Sequence, residues 1–432
     1  MMPSRCHAHR ARPVGQSLAA GTLMLLLIGL PVSAACAADG ALTLRSADGQ
    51  LQTTLGGNLT LGAALLSPDA HSPLDISGSE TNHSGFFMRR AIVTLTGAIY
   101  GFDYAIVEDL SSTNDPADGT RDVWLGHQLG QGGMLMLGQH KPWRSLDELA
   151  SGSTTPFSEN DVVSANGILG GRYFTQGLYY RWMRRHVLAA DDDLWLGASF
   201  YSNTKGDKGA GGGYGANGRI VYVPFLAARQ WLHLGASYSY DQSPAYASGA
   251  AVTGYGAPNA GYRTWYGRQG KPVSVASFGA GAASSAVTLE GELAAAYGPL
   301  YLQGEYAGAQ LRQTPQQADV RAYSVTVAVS LTGETRSYAR DRASYGALRP
   351  THRFGAVEAV LRYDDIFNED LSTCALKAGA TRCQIASLTA GINYYANDHV
   401  RFMLDYQLGR ADAGAAGIDS PHTIDARAQA TF

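Results

Sequence analysis

Arginine and lysine carry the chemistry that this sequence offers. Arg263, Arg268 and Lys271 form the densest basic cluster outside the regular segments, in Tyr262-Arg263-Thr264-Trp265-Tyr266-Gly267-Arg268-Gln269-Gly270-Lys271. Lys141 and Arg144 bracket an aromatic in Lys141-Pro142-Trp143-Arg144. Arg89 and Arg90 stand side by side at the head of an alternating run. A guanidinium donates two parallel hydrogen bonds to a carboxylate or phosphate, so these groups suit oxyanions. The plainer alternatives are a solvated loop, contacts with lipid phosphates or a wet rim charge. Nucleophilic chemistry finds no matching pattern. There is no Gly-x-Ser-x-Gly, zinc motif or phosphate loop. The glycine run Gly209 to Gly215 is followed by neither a helix nor Lys-Ser/Thr. These features predict no enzyme, no catalytic or metal site and no cofactor.

The elements that hold these cations alternate with a period of two, and helical periodicity is nearly absent. In Val400-Arg401-Phe402-Met403-Leu404-Asp405-Tyr406-Gln407-Leu408, one face carries Arg401, Asp405 and Gln407 and the other is apolar. Val325 to Thr332, Leu232 to Tyr240 and His422 to Phe432 alternate likewise. Sixteen such segments are predicted: 57–66, 86–99, 101–110, 121–129, 133–140, 173–184, 193–203, 213–223, 230–241, 285–297, 299–311, 320–332, 353–364, 384–396, 398–411 and 421–432. They run to about ten residues, longer than the usual strand of about 5–6 and long enough for a tilted strand to cross a bilayer. Several end in aromatics, as at Tyr394-Tyr395, which suits an interfacial girdle. Tight connections alternate with long polar ones at 67–85, 141–172, 242–284 and 365–383. The expected fold is therefore all-β: a 16-stranded antiparallel transmembrane β-barrel, wide enough for an aqueous channel. The stretch 333–352 is long yet falls on the short-turn side, and the pattern offers no reason for it.

On the face of Arg90 lie Ile92, Thr94 and Thr96, while Ala91, Val93 and Leu95 share the other. An arginine at mid-bilayer costs about 2–4 kcal/mol, so Arg90 is expected to face water. Its neighbour Arg89 then points outward unless it sits above the lipid belt or beside a bulge. His233 faces inward with no inward serine at its level.

Composition and leader agree with secretion to the outer membrane. Residues 1–38 run from Arg5, Arg10 and Arg12 through an apolar stretch to small residues, and are read as a signal peptide. The apolar stretch is too short to span a bilayer. A short periplasmic segment, 39–56, and the barrel, 57–432, follow. Only 16% of residues are charged against 52 Gly and 24 Tyr, where a soluble domain has about 25% charged. Removing three leader arginines leaves 30 basic against 36 acidic residues, which argues against nucleic acid as a partner. Cys374 and Cys383 survive the leader, and an oxidising compartment favours a disulfide between them. Two free thiols are the alternative.

Specific runs resemble the phosphate-selective porin O and P family. They are Phe87-Met88-Arg89-Arg90-Ala91, Gly97-Ala98-Ile99-Tyr100-Gly101-Phe102-Asp103-Tyr104, Leu137-Gly138-Gln139-His140-Lys141-Pro142 and Leu331-Thr332-Gly333-Glu334-Thr335-Arg336-Ser337-Tyr338, closing with Gly391 to Asn397 and Val400 to Met403. The resemblance implies a homotrimeric outer-membrane porin, with loop 3 folded into the lumen and arginines guiding anions. It places both Arg89 and Arg90 near the pore, through a local bulge, and puts cations of the 242–284 loop along a vestibule. Further implied partners are small anionic solutes, outer-membrane lipid and lipopolysaccharide, and the barrel-assembly machinery through Phe432. Three positions depart from the family: Asn58 follows Gly56-Gly57, Asn160 follows Glu159, and Ser151 to Ser153 stand where a lysine occurs. At least two expected cations are thus absent. The expected function is passive diffusion of small solutes with a modest preference for anions such as phosphate or polyphosphate. General non-selective diffusion and a non-conducting structural barrel are the alternatives.

Overall fold

The computed structural model describes residues 32–38, 41–66, 84–111, 119–164, 168–169, 174–202, 213–242, 261–262, 273–276, 278, 284–376, 383–412 and 418–432. Sixteen long strands form the wall. They are β1 (Leu51–Leu66), β2 (Gly85–Ile99), β3 (Phe102–Asp109), β4 (Thr120–Leu129), β5 (Gly133–His140), β6 (Thr175–Arg185), β7 (Asp193–Ser202) and β8 (Tyr214–Val223). The second half comprises β9 (Gln230–Gln242), β10 (Ser285–Tyr297), β11 (Leu300–Gln313), β12 (Gln316–Ser330), β13 (Ala356–Asn368), β14 (Cys383–Tyr395), β15 (Val400–Asp412) and β16 (His422–Thr431). Each pairs antiparallel with the next. The wall closes where β16 meets β1, from Thr423 opposite Leu66 to Thr431 opposite Asn58. Closure gives each of the sixteen wall strands a partner on both sides, as a lipid environment requires.

The pleat sorts the side chains. On β15, Phe402, Leu404, Tyr406 and Leu408 are exposed, whereas Arg401, Met403, Asp405 and Gln407 are buried. Apolar residues on the outer face and polar ones on the inner face are the inverse of a soluble sheet. Short connections use backbone that only special residues tolerate. Tyr100 and Gly101 both have positive φ, 47° and 82°, as a two-residue hairpin turn demands.

The first strand begins at Leu51, six residues before the expected position 57, because Leu51 to Gly56 pair with Thr94 to Ile99 of β2. Within the expected 39–56 segment, Ala41–Ser46 forms a strand between Leu51–Leu66 and Val32–Ala38. Arg89 and Arg90 are both buried, at 9% and 7% exposure. The pairing register shifts between Thr60 and Leu61 on the opposite strand, so an extra residue at this point turns both arginines inward.

Among the described residues, the connections after β5 and after β12 bond to side chains and carbonyls far along the chain. The described part of the first, Lys141 to Ser164, contains a single helical turn, α1 (Leu146–Leu149). It bonds to buried side chains of β10, β11, β13, β15 and β16. The second, 331–355, lies on the short-turn side and meets the first. Arg336 donates to the Thr154 carbonyl at 2.7 Å, Ser344 Oγ donates to the Leu146 carbonyl at 2.7 Å, and the Tyr345 hydroxyl bonds Asp147. The stretch that the pattern left without a reason thus braces the segment after β5.

Cys374 and Cys383 are joined by a disulfide across the connection between β13 and β14. A loop this short gains about 2–3 kcal/mol at most from the link, and the wall does not pass through it. Cys374→Ser/Cys383→Ser should therefore fold to a heat-modifiable barrel with unchanged conductance. Loss of assembled protein in the outer membrane would show that the link is needed for folding.

Candidate functional site

Most arginines buried about β7 to β16 and the connections that bond to them are matched by an acid, whereas Arg401 donates to the Thr155 carbonyl at 2.7 Å and to Gln429 at 2.9 Å. Arg219 meets Glu292 at 2.5 Å, Arg336 meets Glu358 at 2.6 Å, Arg362 meets Asp364 at 2.7 Å, and Arg144 lies 3.6 Å from Asp241. Arg427 is held by Asp425 at 3.0 Å and by Glu159 at 2.7 Å. Glu159 also takes both forks of Arg89, at 2.7 Å each. Burial pushes the Glu159 carboxyl up, but the Arg89 and Arg427 guanidiniums outweigh it and hold the group well below the usual carboxylate range. An arginine so matched offers a polar wall with little net field. Arg89 and Arg144, which the sequence suggested as anion ligands, belong to this compensated set.

Acids also anchor the segment after β5. Ser145, with a positive φ of 55°, donates its N–H to Glu290 at 2.9 Å and its hydroxyl to Glu305 at 2.8 Å. The Leu146 and Asp147 amides donate to Glu305 at 3.1 and 2.9 Å. These are the amides at the start of α1, which no helix can satisfy internally. Further along, Asp147 accepts from Asn160 and from the Asp161 amide. Burial first, then the nearby Glu305, Asp147 and Asp364 charges, pushes the Asp161 carboxyl well above the usual range.

A third group differs. Between the inward faces of β1 to β5 and Lys141 to Ser153 lies a cavity of about 420 Å³. Arg90, Arg121 and Lys141 line it. Arg90 donates to the Gly152 carbonyl at 2.6 Å and Lys141 to the Glu148 carbonyl at 2.5 Å. Arg121 pairs with Asp109 at 2.7 Å. Burial pushes the Lys141 ammonium down from its ordinary value. The Arg121 guanidinium and the Lys141 ammonium stand 5.7 and 5.5 Å from the centre of the Phe174 ring. Asp122, bonded to His140, supplies a carboxylate to the same cavity. So Arg90 and Lys141 come together here, while Arg89 and Arg144 do not join them. Arg263, Arg268 and Lys271 lie outside the described residues.

Arg121 and Phe174 escaped the sequence reading. Arg121 shares the alternation of the exposed Val123 and Leu125 and reaches the cavity because the pairing register shifts between Ile106 and Glu108 of β3, which no period-two pattern signals. His233 is buried and bonded to the Tyr338 hydroxyl at 2.8 Å and to Glu292 at 3.0 Å, contacts that fix its ring in the wall.

Gly152 is a test point for the Arg90 position. A Cβ there would come within 1.9 Å of Arg90 Nη1. The flexible guanidinium can swing away, so Gly152→Ala should fold normally but carry a displaced Arg90. Its reversal potential in bilayer recordings should shift from the native value toward that of Arg90→Ala. A native preference in Gly152→Ala would mean that the Arg90 position does not matter.

Residues 74–432 match the family model described as phosphate-selective porin O and P. Porin O of Pseudomonas aeruginosa is 31% identical over 216 residues, covering 45% of this chain and 48% of that protein. The chain spans about half the length of the curated relatives it matches. Among solved structures, an anion-selective porin from Comamonas acidovorans superposes with a TM-score of 0.54 at 13% identity, over 88% of this chain and 99% of that one. The trimer form of OmpT from Vibrio cholerae gives 0.52 at 11% identity, over 88% and 99%. At such identities the likeness is one of fold.

Proposed function

The chain belongs to the phosphate-selective porin O and P family, and from that premise we propose that it is a porin for passive diffusion of small solutes, with a modest preference for anions such as phosphate or polyphosphate. Family and barrel together make it a bacterial outer-membrane protein. One observation carries the functional reading: sixteen strands close on themselves with their polar face inward. A wall of that size is too wide for side chains alone to fill.

In this reading, the segment from Lys141 to Ser164 is a loop folded into the lumen that narrows it. Its bonds to inward residues of five strands support this. Anions gather near Arg90, Arg121 and Lys141, and Arg263, Arg268 and Lys271 add vestibule charge. The preference stays modest because most buried arginines of the opposite wall are matched by acids. That same matching favours general diffusion as the second reading. A channel site must also release what it attracts, and several half-screened cations meet both needs without a tight pocket.

The reading includes export on the 1–38 leader and assembly as a homotrimer, the form known for the Vibrio cholerae protein. It also includes contact with lipopolysaccharide and delivery to the barrel-assembly machinery through Phe432, whose ring lies over Gly57 at the barrel seam. No step in it is catalytic. Purified protein in a planar bilayer should give stepwise conductance increments in potassium chloride. A folded, inserted barrel without such increments would leave only a structural role.

A further inference from the structure

We propose that Asp109 is a positioning residue for anion passage: its one buried carboxylate fixes both the backbone that carries Arg90 and the side chain of Arg121. This deepens the porin reading above and rests on it for the claim that these two cations meet permeating solute. Asp109 is only 2% exposed, so it acts through the arginines that line the cavity.

The clamp sits where the wall is irregular. On one side of β2, the pairing with β1 shifts register between Thr60 and Leu61, opposite Arg90 and Met88. On the other side, the last β2–β3 pair is Ile92 opposite Asp109. The Ala91 amide therefore lies beyond that ladder, and it donates to Asp109 Oδ1 at 2.9 Å. The same oxygen accepts from the Ser111 amide at 3.1 Å and from the Ser111 hydroxyl at 2.6 Å. That hydroxyl also lies 3.4 Å from the Arg89 carbonyl. The backbone is thus held at the residue before Arg90 and at the residue after it.

The second oxygen has a different task. Asp109 Oδ2 accepts from Arg121 Nη2 at 2.7 Å. The β3–β4 register shifts between Ile106 and Glu108, just before Asp109, and it is this shift that lets Arg121 reach the cavity. A long arginine side chain loses much rotamer freedom when it is held in one place, and a buried charged acceptor is strong enough to hold it. One residue thereby couples two register shifts to two cations on neighbouring parts of the wall. The simpler role, cancelling the Arg121 charge, needs only the second oxygen. It leaves the three donors gathered on the first without a purpose in the pore.

Asp109→Asn and Asp109→Ala separate the two roles, because both remove the same charge. Asparagine keeps an oxygen for the Ala91 and Ser111 donors, and alanine keeps none. From reversal potentials in potassium chloride gradients, the chloride-to-potassium permeability ratio of Asp109→Ala should lie about twofold or more below that of Asp109→Asn. Ser111→Ala alters no charge and removes the shortest bond to the first oxygen, so its ratio should fall below the native one. It also carries the test if Asp109→Ala does not assemble. A ratio in Asp109→Ala that equals or exceeds that of Asp109→Asn, or a native ratio in Ser111→Ala, would overturn the proposal. Hydrogen exchange in the detergent-folded full-length protein reads the clamp without conduction. The Ala91 and Ser111 amides should exchange about tenfold faster in Asp109→Ala than in Asp109→Asn, and equal exchange would also overturn it. Faster exchange in a protein that conducts no chloride would sustain the clamp and refute the porin reading instead.

Discussion

Replacing Glu305 with alanine is expected to release the segment after β5 and to produce a larger, noisier channel. Glu305 accepts from the Ser145 hydroxyl and from the Leu146 and Asp147 amides, at 2.8, 3.1 and 2.9 Å. All three donors are buried. A buried donor left unsatisfied costs about 1–3 kcal/mol, so losing the acceptor for three of them is worth about 3 kcal/mol or more. Removing Glu305 also relieves its repulsion with Glu290 and Asp147, which offsets part of that loss. We expect the donors to dominate, since Ser145 keeps a positive φ that these bonds hold in place. At roughly tenfold per 1.4 kcal/mol, the detached state becomes on the order of 100 times more populated. The wall is closed by strand pairing that Glu305 does not touch, so melting of the barrel should change little. Glu305→Gln keeps one acceptor oxygen and should fall between. Single-channel current noise and protease cutting within 141–164 read the effect. Native noise and native resistance in Glu305→Ala would mean that other contacts hold the segment.

Glu159→Gln should push the channel toward anions, opposite to the loss of Arg90. The native cluster sets Arg89 and Arg427 against Glu159 and Asp425. Neutralising Glu159 leaves one uncompensated positive charge on the inner wall. The pair with Arg89 has side chains only 11% and 10% exposed, and breaking a buried pair costs about 3–5 kcal/mol. Lumen water and the remaining amide oxygen place the expected loss at the lower end, about 3 kcal/mol. The measured outcome is a reversal potential shifted toward that of chloride, with a lowered midpoint of thermal unfolding. An unshifted potential would show that this cluster does not face the permeating solute.

Much of the wall was legible because most strands repeat one rule, apolar outward and polar inward, over eight or more residues. The rule blurs where polar residues occupy both faces. Gln52-Thr53-Thr54 concealed the start of β1, and Gln316-Gln317 concealed the start of β12, which pairs with Arg312 and Gln313. The site was far less legible. Arg90 and Lys141 could be picked out as cations, but a cation and its partner acid need not be neighbours in sequence. Glu159 lies 70 positions from Arg89 and 268 from Arg427. No periodicity links such residues, so an arginine that guides anions and one that is neutralised read alike. The stretch 331–355 shows the same limit. Its role becomes clear only when Arg336, Ser344 and Tyr345 are seen to reach Thr154, Leu146 and Asp147.

The reversal potential of the native channel across a potassium chloride gradient tests the central claim most directly. The account predicts a value modestly displaced toward the chloride equilibrium potential, and a smaller displacement for Arg90→Ala and for Lys141→Ala. A native channel that prefers potassium, or variants that match the native value, would contradict it and assign control of passage to the inward carboxylates.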